Sequence, residues 1–85
     1  MRMKHTSHPA ILARLKRAHG HLASVIEMLE EGRPCLDLAQ QIHAVSKAVD
    51  NAKRELIHDH IEHCLDGEAS PRAAIAEMRQ LAKYL

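Results

Sequence analysis

Aromatic side chains are almost missing from this chain: it has one Tyr, no Phe and no Trp in 85 residues. Its interior must therefore be built from Ala, Leu, Ile and Val. A core of such modest side chains in so short a chain is marginal by itself, so further copies of the chain are expected to complete it. Strand-period runs, internal repeats and low-complexity segments are absent too, which excludes sheet and solenoid architectures and leaves an all-α fold. No apolar run reaches 18 residues, so a membrane-spanning helix and a membrane partner are not expected. Met1-Arg2-Met3-Lys4-His5 lacks the apolar segment of a secretory signal, and a cytoplasmic protein is expected. Two cysteines are too few for a disulfide framework. In a reducing compartment, beside eight histidines, they point to metal binding or a reactive thiol.

The net charge of +1 hides an asymmetry. Residues 1–54 carry nine Lys/Arg and five Asp/Glu, and residues 55–85 carry three and six. Five basic groups (Arg2, Lys4, Arg14, Lys16 and Arg17) and no acid lie in the first 25 residues. That local positive field suits a polyanion partner. Arg14 and Arg17 stand at i and i+3, opposite an apolar stripe. Lys47 and Arg54 are two turns apart with Lys53 beside Arg54, so Arg14, Lys16, Arg17, Lys47, Lys53 and Arg54 are the candidate phosphate contacts. The plainer alternative for any one of these helices is a solvated charged face.

Gly and Pro divide the chain into a single domain, residues 1–85, with three helices. Residues 1–7 form an N-terminal segment expected to be mobile, although Thr6 and Ser7 are good N-caps and Pro9 suits a first turn. Ile11, Leu15, Ala18, Leu22, Val25 and Leu29 recur at spacings of four and three, predicting a helix over 8–31. Gly20 interrupts it, at a place that would suit a close approach of backbones. Gly32-Arg33-Pro34 then supplies a C-cap glycine and a proline that cannot continue the helix. Leu38, Ile42, Val45, Val49, Ala52 and Leu56 repeat the alternation, and no Gly or Pro occurs between Cys35 and Asp66. One long helix over 35–66 follows, with Asp37 favourable in its first turn. After Gly67, Ser70-Pro71 opens a third helix over 70–85, with Ile75, Met78, Leu81 and Leu85 on its apolar face.

The chemistry concentrates in His58-Asp59-His60-Ile61-Glu62-His63-Cys64, three imidazoles and a thiol within seven residues. On a helix, His60 and Cys64 stand at i and i+4 on one face and can share a borderline metal. Two donors make a weak site, and the other cysteine is Cys35. Along a continuous helix Cys35 and His60 are roughly 37 Å apart, so one chain cannot bring them together. If the long helix pairs antiparallel with its copy, Cys35 of one subunit meets His60 and Cys64 of the other, and two-fold symmetry makes two such sites. Taken singly, Cys64 would be read as a small buried hydrophobe. His58 and His63 turn away from the His60 face, and His43 sits on a polar face. His19 and His21 could bond phosphate or stay solvated. His5 and His8 belong to a segment that could fold over the site and supply a nitrogen.

The run Arg14-Leu15-Lys16-Arg17-Ala18-His19-Gly20-His21-Leu22, then Cys35, Gln40-Gln41-Ile42-His43-Ala44-Val45 and the His58–Cys64 stretch together resemble the CsoR/RcnR family of bacterial metal- and formaldehyde-responsive repressors. The resemblance covers about residues 8–66. It implies a three-helix protomer, an antiparallel dimer and a disc-shaped tetramer of two dimers. It also implies a repressor that binds operator DNA without a helix-turn-helix and lets go when its effector binds, derepressing an efflux gene. The Cys-His-Cys set of copper-sensing members corresponds to Cys35, His60 and Cys64. Nickel- and cobalt-sensing members add nitrogen ligands from near the N-terminus, to which His5 or His8 could correspond. Formaldehyde-sensing members have a proline after Met1, where this chain has Arg2. Copper sensors also carry a tyrosine before the first cysteine and a glutamate on the third helix, and those places fall here at Pro34 and approximately Gln80. With that support lost and histidines added, Ni(II) or Co(II) is the expected effector and Cu(I) the alternative. An enzyme using Cys35 or Cys64 with His60 as base is not expected, since nothing resembles an oxyanion site. A metal store or chaperone is the remaining alternative.

Overall fold

The computed structural model describes residues 8–67 and 71–85, with side chains described for 8–62 and 71–85. Three helices make up the described residues: α1 (His8–Glu30), α2 (Cys35–Gly67) and α3 (Pro71–Ala82). The predicted caps at Thr6, Ser7 and Ser70 lie outside the described residues. Helix α1 ends as its glycine requires. Gly32 adopts φ +75°, and its N–H donates to Leu29 O (3.1 Å) while Arg33 N–H donates to Met28 O (3.1 Å). This pair of bonds is a Schellman cap, closing carbonyls that α1 would otherwise leave open. Pro34 contributes its carbonyl to α2, accepting from Leu38 N–H at 3.1 Å. The tight turn folds α2 back antiparallel to α1, and α3 packs on α2 alone. The result is a thin molecule, 54 × 23 × 15 Å.

The four-three alternation splits into two faces. On α1 the buried residues are Ile11, Ala18 and Val25, seven apart, and on α2 Leu38, Val45, Ala52 and Asp59 are buried at the same interval, with Ile57 buried beside them. Val25, Leu38 and Val45 form the core of this seam, with Met28 packed against it. The alternating partners, Leu15, Leu22 and Leu29 on α1 and Ile42, Val49 and Leu56 on α2, remain exposed. Val45 is 7 % exposed and Val49, one turn on, 45 %. Burying a Leu, Ile or Val contributes about 1.5–3 kcal/mol, so a large part of the available hydrophobic stabilisation is unrealised in one protomer.

Two local expectations need correction. The buried face of α3 centres on Ala74, with Met78 and Leu81 half-buried, while Ile75 and Leu85 are exposed. A four-three count starting at Ile75 misses the true seam because a small residue, Ala74, lets α3 approach α2. At Gly20 an added Cβ would meet nothing within 4 Å, so no backbone approaches it within the protomer. Gly32 is different: the space beside it is open, yet its positive φ is unfavourable for any residue with a Cβ. Gly32→Ala should therefore lower unfolding free energy by about 1–2 kcal/mol, read by chemical denaturation, with Gly20→Ala neutral or stabilising.

Candidate metal centre and DNA-facing surface

Cys35 opens α2, exposed and reduced. His60 lies 25 residues along the same helix, and no proline interrupts the interval. At 1.5 Å per residue the two are separated by roughly 37 Å. Cys64 lies on α2 one turn beyond His60, with its side chain outside the described residues, as is that of His63. His5 also lies outside them. Among the described residues, no three His, Cys, Asp or Glu side chains cluster as a metal site would. The donor set is chemically apt, two thiolates and an imidazole, but one protomer does not assemble it.

The surroundings of His60 are built. Its Nε2–H donates to the Glu77 carboxylate, joining α2 to α3. A ring nitrogen that donates in this way fixes the tautomer and leaves Nδ1 as the lone-pair nitrogen, the arrangement a metal-ligating histidine needs. On α3 it is Glu77 that reaches His60. Glu77 and Gln80 are both exposed, and of the two it is Glu77 that pairs with His60. The sequence carried a signal for this, because Glu77 is the one acid between Pro71 and Leu85.

Next to His60, Asp59 occupies the heptad position that follows Leu38, Val45 and Ala52, and it is 8 % exposed. Its Oδ2 lies 3.8 Å from His8 Nε2. The beginning of α1 therefore sits beside the residue adjoining His60. Periodicity alone could not show this contact, since it marks Asp59 as an interruption of the apolar phase. Farther along the hairpin, His21 Nε2–H donates to Gln41 Oε1 at 2.6 Å, so His21 is tied to α2. His19, His43 and His58 are exposed.

The six candidate phosphate contacts divide into two groups. Arg14 pairs with Glu55 at 3.0 Å, and Lys53 and Arg54 both pair with Asp50, at 3.1 and 3.2 Å. The Lys53 hydrogen bond, opposed by slight desolvation and reinforced by the Arg54 charge, holds the Asp50 carboxyl below its ordinary value. A carboxyl depressed in the fold loses its pairing only as pH falls through the carboxylate range, so this cluster is intact at neutral pH. Lys16, Arg17 and Lys47 are exposed and make no ion pair among the described residues. Exposed pairs of this kind contribute little and rearrange readily. Arg14 and Arg17, with His21, Ala18, Ala48 and Asn51, line a shallow notch where α1 meets α2.

A family model described as a metal-sensitive transcriptional repressor matches residues 7–84. The chain is 40 % identical over 80 residues to a copper-sensing transcriptional repressor CsoR of Mycobacterium ulcerans, covering 88 % of this chain and 67 % of the relative. It is 36 % identical over 80 residues to the copper-sensing transcriptional repressor CsoR of Bacillus subtilis, covering 86 % and 75 %. The chain thus spans about two thirds of the length of its mycobacterial relatives. Among solved structures, the nickel-responsive transcriptional regulator InrS superposes with a TM-score of 0.82 over 100 % of both chains, at 28 % identity.

Losing the carboxylate that orients a ligating histidine typically weakens metal binding by about 10–100-fold. Glu77→Ala should do so in a competitive titration while helical content stays unchanged, and Gln80→Ala should leave affinity as it was.

Proposed function

We propose that this chain, which belongs to the metal-sensitive transcriptional repressor family, is a nickel- or cobalt-responsive member that holds operator DNA until metal binds. The observation that carries the proposal is a coincidence of faces on α2. Cys35, Ile42, Val49 and Leu56 repeat every seven residues, and Ala39, Ser46, Lys53 and His60 fill the interleaved positions. Cys35 therefore shares its heptad position with the apolar residues left exposed, and His60 stands in the series interleaved with them. An antiparallel copy centred on Val49 would set Ile42 against Leu56 of the partner subunit and Val49 against its own counterpart. Cys35 then falls level with residues 60–64 of the partner subunit. One interface both covers the stripe and completes the donor set, and two-fold symmetry does so twice. An open apolar groove of about 490 Å³ between Leu12, Leu15 and Leu56 supports a second contact, consistent with dimers pairing into tetramers.

Cys35, His60 and Cys64 would hold the ion, with His5 or His8 adding a nitrogen. The contact between His8 and Asp59 supports that addition, because it draws the start of α1 towards His60. A fourth, nitrogenous donor favours Ni(II) or Co(II) over a three-coordinate Cu(I) site. Likeness to a nickel-responsive regulator over the full chain supports the same choice. Cu(I) is the second reading, favoured by the Glu77 carboxylate on His60 and by relatives described as copper-sensing.

Arg14, Lys16, Arg17, Lys47, Lys53 and Arg54 would neutralise phosphates of operator DNA, with sequence read largely through DNA shape. Release requires that metal favour an assembly that fits DNA less well. Drawing Cys35 towards the partner subunit would act on α1 directly, since only the Gly32-Arg33-Pro34 turn separates them. Among the described residues no helix is long and apolar enough to cross a membrane, and a repressor that binds operator DNA would work in the cytoplasm.

Two sets of variants test this. Cys35→Ala or His60→Ala should leave operator binding in a gel shift unchanged and abolish metal-driven release, whereas Arg14→Ala with Arg17→Ala should weaken DNA binding and keep metal affinity. Ni(II), Co(II) and Cu(I) titrations with reporter induction identify the effector: a copper response with silent nickel and cobalt selects the second reading. Val49→Lys should shift the protein towards monomers in sedimentation and weaken metal binding with it. Full metal affinity in a monomer would refute the shared site.

A further inference from the structure

All three basic residues after Glu55 in the chain's last third, Arg72, Arg79 and Lys83, fall on one side of α3 and the turn that follows it. They stand at i, i+7 and i+11, opposite Ala74, Met78 and Leu81, the side that packs on α2. Arg72, Arg79 and Lys83 are exposed and make no ion pair among the described residues. Ile75 and Ala76 fill the space between the arginines and line a shallow groove with them. Glu77, the only acid between Pro71 and Leu85, is turned to the flank and held by His60. The outer face of α3 is therefore uniformly positive.

Helix stability explains only part of this. Arg79 lies in the last turn, where a cation complements the helix dipole. Arg72 lies in the first turn, directly after Pro71, where a cation opposes it. Position gives a second indication. Arg14 of α1 is fastened to Glu55 of α2 and Glu77 of α3 to His60 of α2. The anchors are five residues apart, or roughly 7.5 Å of helix. Five residues also turn about 140° around the helix, so the basic surfaces of α1 and α3 flank one short stretch of α2 from different sides, and α1 and α3 do not touch.

We propose that the outer face of α3 is a second phosphate-contacting surface, engaging the backbone of the same DNA duplex as α1 through Arg72 and Arg79, with Lys83 at its edge. The proposal rests on the operator-binding reading above and extends it to a helix outside that set. Duplex DNA presents one charge per about 1.7 Å of axis, so two positive surfaces at one end of the protomer can engage separate phosphates of one duplex. Such contacts add affinity and salt dependence and read no bases.

The test is a salt series of binding by the full chain to a fluorescent duplex from its own promoter, and to an unrelated duplex. Arg72→Gln/Arg79→Gln should weaken both complexes alike. It should also reduce the slope of log affinity against log salt by about 0.9 per lost contact in each DNA-bound protomer. Arg72→Lys/Arg79→Lys should retain the parent slope, and Ni(II) affinity of all variants should match the parent, showing that the fold and His60 are intact. Parent affinity and slope in the Gln variant would overturn the α3 surface while leaving α1 as the DNA contact. A parent chain that binds neither duplex would overturn the repressor reading and this extension together.

Discussion

Helix α2 is a stiff rod of 33 residues, and the spacing of its donor groups governs everything else about the protomer. A thiol at one end and an imidazole near the other cannot approach each other unless the rod breaks. Neither Pro nor Gly occurs between Cys35 and Asp66 to break it. On the function proposed here, metal chemistry in such a chain would be a matter of assembly, with the two halves of a site supplied by two copies. The exposed stripe of Ile42, Val49 and Leu56, half of each apolar repeat with nothing in the protomer to pack on, would supply the driving force. Binding a metal and completing the hydrophobic interior would then be linked, each strengthening the other by mass action.

Much of this was legible in the residues themselves. Gly32 and Pro34 announced the turn, the apolar repeats announced the long helices, and helix rise alone set Cys35 and His60 too far apart to meet within one chain. What could not be read was which half of each repeat faces inwards. Leu15 and Ala18, or Val45 and Val49, are equivalent in a periodic count and separate only when two helices are set against each other. The side-chain pairs between helices were hidden for the same reason. Glu77 reaches His60, and His21 reaches Gln41, through rotations about helix axes that spacing along one chain does not specify. The resemblance put the place of the third-helix glutamate approximately at Gln80, and which α3 side chain reaches His60 emerges only from the packing of α3 on α2.

The surface charges divide along similar lines. Asp50 collects Lys53 and Arg54, and Glu55 collects Arg14, so part of the positive charge on the first two helices is offset locally. Exposed pairs hold these side chains loosely and leave them available to a stronger anion. Lys16, Arg17 and Lys47 need no such exchange. A net charge of +1 therefore understates how positive individual faces of the molecule are.

Asp59 has a consequence for the hairpin as a whole. Small residues repeating every seven positions, such as Ala18 and Val25 against Val45 and Ala52, would allow α1 to slide along α2 by a heptad with similar packing. The carboxylate meets the His8 imidazole in one alignment only. A slip of seven residues would set it against Leu15 and forfeit the His8 contact, which disfavours that alignment. Asp59 acts as a register key: it gives up some hydrophobic stabilisation so that α1 and α2 have a single way to lock.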